Sequence, residues 1–470
     1  MSAHPAPPFD AWLWLQAYNE TWIAGLFEPT ARRLRALRLA TLIEHTLRES
    51  PLYRRRQGRR AAHALADFAP VTKAELMQDF DAWATDRRIT RAAAAAFIAD
   101  KTCIGDAWLG DYLVWTSSGT SGVPGWFVQD ARCLAAYDAI DALRLRGVGK
   151  GLAGVPASLG AWGLGQRFAF VGASGGHFAG RVSLERLRRI VPPGLRPEIA
   201  LLSVQQPLHH LAQELQALQP TVLITYPSCA AALAQCQQAG ALTLRLQEVW
   251  VGGEQLSPAQ REQICAAFAC ELRNNYGASE CFSIAWECAH GSLHVNDDWV
   301  ILEPVDEQQG PVPDGTLSHG ALLTNLANRV QPLIRYQLED RIRRLPAGCA
   351  CGSAFSAIEV HGRSADTLTL RDAHRRAVTI LPLALETAIE EAAQVTQFQL
   401  IGRPANVLEV RFEPAVADAD AAFGRCRRAI DQFLAGHGVV GTRVTFSRAA
   451  PLHGRASGKL RRVISEPARS

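Results

Sequence analysis

No uninterrupted apolar run in this sequence approaches the roughly 18 residues that a membrane span needs. The opening stretch, M-S-A-H-P-A-P-P-F-D, lacks a basic segment followed by an apolar core, so no secretory signal is legible. Charge of one sign is also scarce. Lys and Arg number 49 against 45 Asp and Glu, and the formal net charge of +4 is too small to imply a nucleic-acid partner. No internal repeat and no low-complexity segment is evident. The 11 cysteines, an odd count in a long chain, argue against a disulfide framework and for reduced thiols, a few of which can bind metal. These absences read together as a cytoplasmic protein with neither a membrane nor a nucleic acid as partner. Two nucleotide signatures are missing as well. The G-x-x-x-x-G-K-[ST] loop is absent, and the glycines from Gly172 to Gly180 lack G-x-G-x-x-G spacing, so they read as a structural turn near a cleft.

With 470 residues the chain exceeds what one core usually supports, and two or more domains are expected. At 48% hydrophobic and 20% charged, its composition is that of an ordinary folded protein. The most informative stretch is Tyr112 to Gly125, Y-L-V-W-T-S-S-G-T-S-G-V-P-G. Strand-favouring residues run into a loop of small and hydroxyl-bearing ones. Gly119 and Gly122 let the backbone approach an anion closely, while Ser117, Ser118, Thr120 and Ser121 offer hydroxyl donors, which suits a polyphosphate. Taken alone, the same stretch also reads as a solvated Ser/Gly turn.

Apolar positions at helical spacing from about Trp12 to Arg56, closing on Ser50-Pro51, predict a helical lead-in. Thr72 stands as a cap before the helix pattern E-L-M-Q-D-F, and a further helix is expected from about Ala131 to Arg146. Beyond Leu215 the pattern alternates: helix, strand Val222–Thr225, helix around Ala230 to Gln238, strand Glu248–Val251. That alternation predicts parallel strands with crossover helices, with Tyr226 and Ser228 after one strand and Gly253 and Glu254 after the next.

The Ser117–Gly122 loop resembles the phosphate-binding loop of the adenylate-forming (ANL) superfamily, S-[ST]-G-[TS]-[TS]-G-x-P, with Val123 where a lysine would have supplied charge. Five further segments match that superfamily in order. V-G-G-E-Q-L from Val251 resembles the stretch along the adenine, and Y-G-A-S-E, Tyr276 to Glu280, resembles the Y-G-x-[ST]-E motif. P-L-I-R-Y-Q-L-E-D, ending at Asp340, resembles R-Y-R-T-G-D, although Leu338 and Glu339 replace its Thr-Gly. H-G-R-S-A-D, His361 to Asp366, resembles the hinge motif, with Arg363 matched and Ala365 at the usual acidic position. S-G-K-L-R-R, from Ser457, resembles the C-terminal motif that carries the catalytic lysine, Lys459 here. The opening segments, S-P-L-Y-R from Ser50 and P-V-T-K from Pro70, resemble the opening of the phenylacetate–CoA ligase branch, and Cys349-Ala-Cys351-Gly resembles a C-x-C-G element of the phenylacetate–CoA ligase and deazaflavin-coenzyme adenylyltransferase branch.

The resemblance implies an α/β fold, with a large N-terminal adenylation domain of mixed sheets over residues 1–361 and a small mobile α+β lid over residues 362–470. It implies ATP-dependent activation of a carboxylic acid, aromatic by weak signs, as an acyl-adenylate with release of pyrophosphate. Transfer to a thiol follows, with coenzyme A ahead of a carrier protein. Adenylyl transfer to a hydroxyl and a non-catalytic nucleotide-binding relative stay open as alternatives, and a homodimer is one oligomeric state left open. On these matches Ser117 to Gly122 hold the ATP phosphates, and Gly253, Glu254, Tyr276, Gly277 and Ser279 form the nucleotide site. Glu280 holds Mg²⁺, Asp340 and Arg363 take the ribose, and Lys459 bridges the reacting carboxylate and α-phosphate. The segments around residues 161–163, Gly175–His177 and Tyr226 are expected to line the acid pocket. Cys349 and Cys351, in the C-x-C-G element of that branch, can join Cys288 and His294 in a tetrahedral structural Zn²⁺ site, with His290 as competing ligand.

Overall fold

The computed structural model describes residues 6–58, 64–117, 124–145, 166–192, 196–361, 368–393, 398–412, 419–449, 451 and 462–465. Its centre is a nine-stranded mixed sheet in the order β13-β14-β9-β8-β7-β6-β5-β3-β4. Strands β3 (Arg167–Gly172), β4 (Glu198–Ser203), β5 (Val222–Thr225), β6 (Glu248–Gly252) and β7 (Glu271–Tyr276) pair in parallel, each joined to the next by a crossover helix. The alternation seen in the sequence forces this arrangement, because a parallel neighbour can be reached only by a long crossover that a helix fills. Antiparallel strands β8 (Ala285–Glu287), β9 (Leu293–Val295), β13 (Arg341–Arg344) and β14 (Ala357–His361) extend the sheet beyond β7.

The expected helical lead-in forms three helices, α1 (Ala11–Leu26), α2 (Glu28–Glu49) and α3 (Pro51–Gln57). Ser50 caps one end and Pro51 takes the first position of α3, where a missing N–H costs nothing. Thr72 caps α4 (Lys73–Gln78) with a reciprocal capping box to Glu75. Strand β1 (Tyr112–Thr116) forms as expected but outside the parallel sheet, paired antiparallel with β2 (Trp126–Asp130). The predicted helix after it forms over the expected span, as α7 (Ala131–Ile140) continued by a π-helical stretch, Asp141–Leu145. The helix between them and α4 is α6 (Arg91–Ala99), preceded by the short α5 (Phe80–Trp83).

Trp83, Trp115, Tyr53, Phe80 and Phe127 are fully buried in the core that joins the lead-in helices to β1, β2 and the three-stranded sheet of β10 (Val300–Val305), β11 (Gly320–Asn325) and β12 (Tyr336–Leu338). A second apolar cluster lies on the other side of the large sheet. It runs without a break from Val171, Leu223 and Val249 to Leu385, Phe398, Leu400 and Val463 of the C-terminal region, where β17 (Phe398–Arg403), β18 (Val407–Phe412), β19 (Arg443–Ser447) and β20 (Val463–Ser465) form a separate sheet. No helix among the described residues is long and apolar enough to cross a membrane.

Candidate functional site

The carboxyl ends of β5, β6 and β7 open into one cavity of about 1300 Å³. Ser117, Gly253, Glu254, Tyr276, Gly277, Ser279, Glu280 and Asp340 all line it. Residues drawn from four separate motifs thus meet in one place. Ser118 to Gly122 of the phosphate loop, residues 161–163, Arg363 and Lys459 lie outside the described residues.

Two neighbouring clusters order the polar side of the cavity. In the first, the Tyr276 hydroxyl donates to Asp340 Oδ2 at 3.0 Å. Burial and the adjacent Asp340 carboxylate hold the Tyr276 phenol well above its usual range, so it is a firm donor at any ordinary pH. In the second, Glu280, 7% exposed, accepts from the Tyr336 hydroxyl at 2.8 Å and pairs with Lys73 Nζ at 3.2 Å through the same Oε1. Lys73 also donates to Ser117 Oγ at 3.4 Å. A single ammonium therefore joins the first residue of the phosphate loop to the carboxylate of Y-G-A-S-E.

These loops are held by their surroundings. Trp115 Nε1 donates to the Ser279 carbonyl at 2.7 Å, tying Y-G-A-S-E to β1. Gly277 admits no side chain, since a Cβ there would sit 2.0 Å from the Phe282 carbonyl oxygen. Gly253 has φ of +80°, and its missing Cβ would meet the Tyr226 ring at 3.2 Å. Glu254 accepts from the Ser228 backbone N–H and hydroxyl, both at 3.0 Å, and burial raises its carboxyl above the usual range. Of the segments expected to line an acid pocket, Tyr226 faces the cavity, whereas Gly175–His177 do not line it and only their neighbours Ala173 and Phe178–Gly180 do; the His177 carbonyl instead accepts from Thr116 N at 2.7 Å and ties the turn to β1. Phe168, Phe170, Ile224 and Trp250 make the other wall apolar. Glu386, Thr387 and Arg462 reach the cavity from the C-terminal region.

Lys73 and Tyr336 were not singled out as site residues from sequence. Lys73 sits in the P-V-T-K segment, and the signal that could have found it was the missing lysine at Val123. The capped start of α4 brings a positive charge from elsewhere in the chain to within 3.4 Å of Ser117 Oγ.

A second cluster stands apart from the cavity. Cys288, His294, Cys349 and Cys351 hold their donor atoms within 4.8 Å of one another, and they are the only such group among the described residues. Cys288 Sγ is 3.9 Å from Cys349 Sγ, and Cys351 Sγ is 3.3 Å from His294 Nε2. Ligands at about 2.3 Å for sulfur and 2.0 Å for nitrogen around a tetrahedral ion would be separated by similar distances. The fully buried His294 turns Nδ1 to the Phe355 carbonyl at 2.9 Å, which leaves Nε2 facing the thiols. Pairing of β9 with β14 is what brings His294 to the Cys349–Cys351 loop, and the competing His290 is not in the group.

No known protein-family model matches the chain, and no curated protein does. Solved structures do match. A 2-hydroxyisobutyryl-CoA ligase in complex with 2-HIB-AMP and CoA, in the thioesterification state, is 20% identical, covering 92% of this chain and 89% of that one at a TM-score of 0.54. The same ligase in the postadenylation state is 19% identical with the same coverage and TM-score. A benzoate CoA ligase from Burkholderia xenovorans LB400 is 18% identical over 75% of this chain and 67% of its own, with a TM-score of 0.38. At such identities the likeness to the first ligase establishes the architecture: the chain has the fold of adenylate-forming acid–CoA ligases.

Proposed function

We propose that this protein activates a carboxylic acid with ATP and passes the acyl group to coenzyme A. The observation that carries the reading is the convergence of Ser117, Tyr276, Glu280 and Asp340 in one cavity, in a fold whose solved examples include a ligase holding an acyl-adenylate and CoA. In the first step a carboxylate oxygen attacks the α-phosphorus and pyrophosphate leaves. In the second a thiol loses its proton, its sulfur attacks the acyl carbonyl, and AMP leaves.

Within the site, Asp340 accepts hydrogen bonds from the ribose hydroxyls, a task that suits an acceptor-only carboxylate. Tyr276 holds that carboxylate in place and offers its ring to the adenine. Lys73 and the loop beginning at Ser117 take the β- and γ-phosphates, with Lys73 neutralising charge that Val123 cannot. Among the described residues Glu280 is the carboxylate paired with Lys73 beside Ser117, a donor set that fits Mg²⁺ carrying most of its coordination on substrate phosphates. That ion, when bound, neutralises phosphate charge. Arg363 joins Asp340 at the ribose, and Lys459 approaches the reacting carboxylate from the C-terminal region, for which we adopt the division at residues 361 and 362. The aromatic wall of Phe168, Phe170 and Trp250 favours an aryl acid over a straight chain. Cys288, His294, Cys349 and Cys351 hold a structural Zn²⁺ that closes the β13–β14 loop.

The test is carboxylate-dependent ATP–pyrophosphate exchange over aryl, fatty and amino acids, with wild type beside Lys459→Ala. Exchange with one acid class that collapses in the variant supports the reading. Tight ATP binding without exchange for any acid would move it to adenylyl transfer or a nucleotide-binding role.

A further inference from the structure

The exposed face of α1 is unlike the rest of the surface. Its inner side is fixed to the body of the protein: Ala17, Thr21 and Ala24 are buried, and the Thr21 hydroxyl accepts from Trp299 Nε1 at 2.8 Å. Glu20, the only charged residue of the helix, is turned to Arg38 at 2.6 Å. The outer side exposes Trp12 by 73%, Leu26 by 57%, Trp22 by 47%, Leu15 by 43% and Ile23 by 37%. At 100° per residue these five and Asn19 fall within one arc of about 100°.

At roughly 150–250 Å² for a whole large side chain, these exposed fractions with Phe27 amount to roughly 600 Å² of apolar surface, at the upper end of what a monomer leaves bare. That is most of the roughly 800 Å² per partner that a specific protein interface covers. The helix has no Lys or Arg, so it lacks the basic face by which an interfacial helix holds an anionic lipid surface.

The order of residues identifies the occupant. Counting outward from Asn19, Trp12 mirrors Leu26, Leu15 mirrors Ile23, and Gln16 mirrors Trp22. In an antiparallel copy related by a two-fold axis at Asn19, the Trp12–Leu26 and Leu15–Ile23 pairs each set apolar against apolar while Gln16 lies over the Trp22 edge, the self-complementarity such an interface demands. Asn19 then meets its counterpart on the axis. A side-chain amide has both donor and acceptor, so two of them pair with each other and penalise any slip in register.

We propose that two copies of this chain associate through the outer faces of α1, antiparallel about a two-fold axis at Asn19. This contact is independent of the chemistry assigned above. Sedimentation of the full chain across a concentration series is expected to give a dimer, and Trp12→Asp with Leu26→Asp is expected to raise its dissociation constant at least ~100-fold, the cost of placing charge in a desolvated interface. Under mild oxidation Asn19→Cys is expected to cross-link to itself above the wild-type background. Trp12→Cys is not, because its two copies would be roughly 20 Å apart. The Asn19→Cys result decides the matter should the double variant misfold. A chain that stays monomeric, a dimer untouched by the double variant, or self-cross-linking through Trp12→Cys instead would overturn the proposal. So would a monomer that binds anionic vesicles through these residues.

Discussion

Replacing Lys73 with alanine probes the centre of the site. Its ammonium stands 3.2 Å from Glu280 Oε1 with the side chain only 14% exposed. At an effective dielectric of about 20 the attraction is about 5 kcal/mol before desolvation is subtracted. Removing one partner leaves the Glu280 carboxylate buried with Tyr336 as its remaining side-chain donor among the described residues, so Lys73→Ala is expected to lower stability by about 3 kcal/mol. Adding Glu280→Gln removes the stranded charge and is expected to restore most of that loss. Catalysis should separate from stability. If Lys73 neutralises the phosphates, Lys73→Ala reduces ATP–pyrophosphate exchange about 10²–10³-fold, as loss of a preorganised electrostatic group does, and Glu280→Gln does not rescue it. Exchange and denaturant melts on the three proteins decide. A Lys73→Ala enzyme that is destabilised yet exchanges within threefold of wild type would refute the role in phosphate binding and leave Lys73 a structural partner of Glu280.

Gly277→Ala should displace the Tyr276–Glu280 loop, because its Cβ meets the Phe282 carbonyl at 2.0 Å; the check is ATP affinity, expected to fall at least tenfold. Tyr336→Phe removes the 2.8 Å hydrogen bond to Glu280 and should cost about 1.5 kcal/mol in a melt while leaving the fold intact. Metal analysis of the purified protein is expected to give one zinc per chain, lost in Cys351→Ser together with at least ~1 kcal/mol of stability. Glu254 has a folded pKa raised by burial, so its contribution is fully present below the unfolded carboxyl value and lost as pH rises through the folded one. Glu254→Gln should therefore raise the melting temperature at pH 8 relative to wild type, and the gain should vanish near pH 4.

Much of the architecture was legible because it depends on local order. The alternation of apolar strands and helices from Leu215 to Val251 can be satisfied only by parallel strands with crossovers. Ser50, Pro51 and Thr72 mark helix ends through backbone groups a few residues away. Tyr276, Glu280 and Asp340 were likewise visible as short motifs, since each needs particular neighbours to shape its loop. What sequence could not settle is which of these loops face one another. The Tyr276–Asp340 and Lys73–Glu280 contacts join residues 64 and 207 positions apart, and the lysine beside Ser117 comes from the first turn of α4, which precedes that residue by more than a strand. That His294 rather than His290 stands beside the three cysteines was equally a tertiary matter, following from the register of β9 against β14. Sequence alone determined much of the order of elements and which reactive side chains each one carries, because those follow from bonds and neighbours along the chain. The pairing of charges was decided by packing, because it depends on distances that only the assembled sheets and helices set.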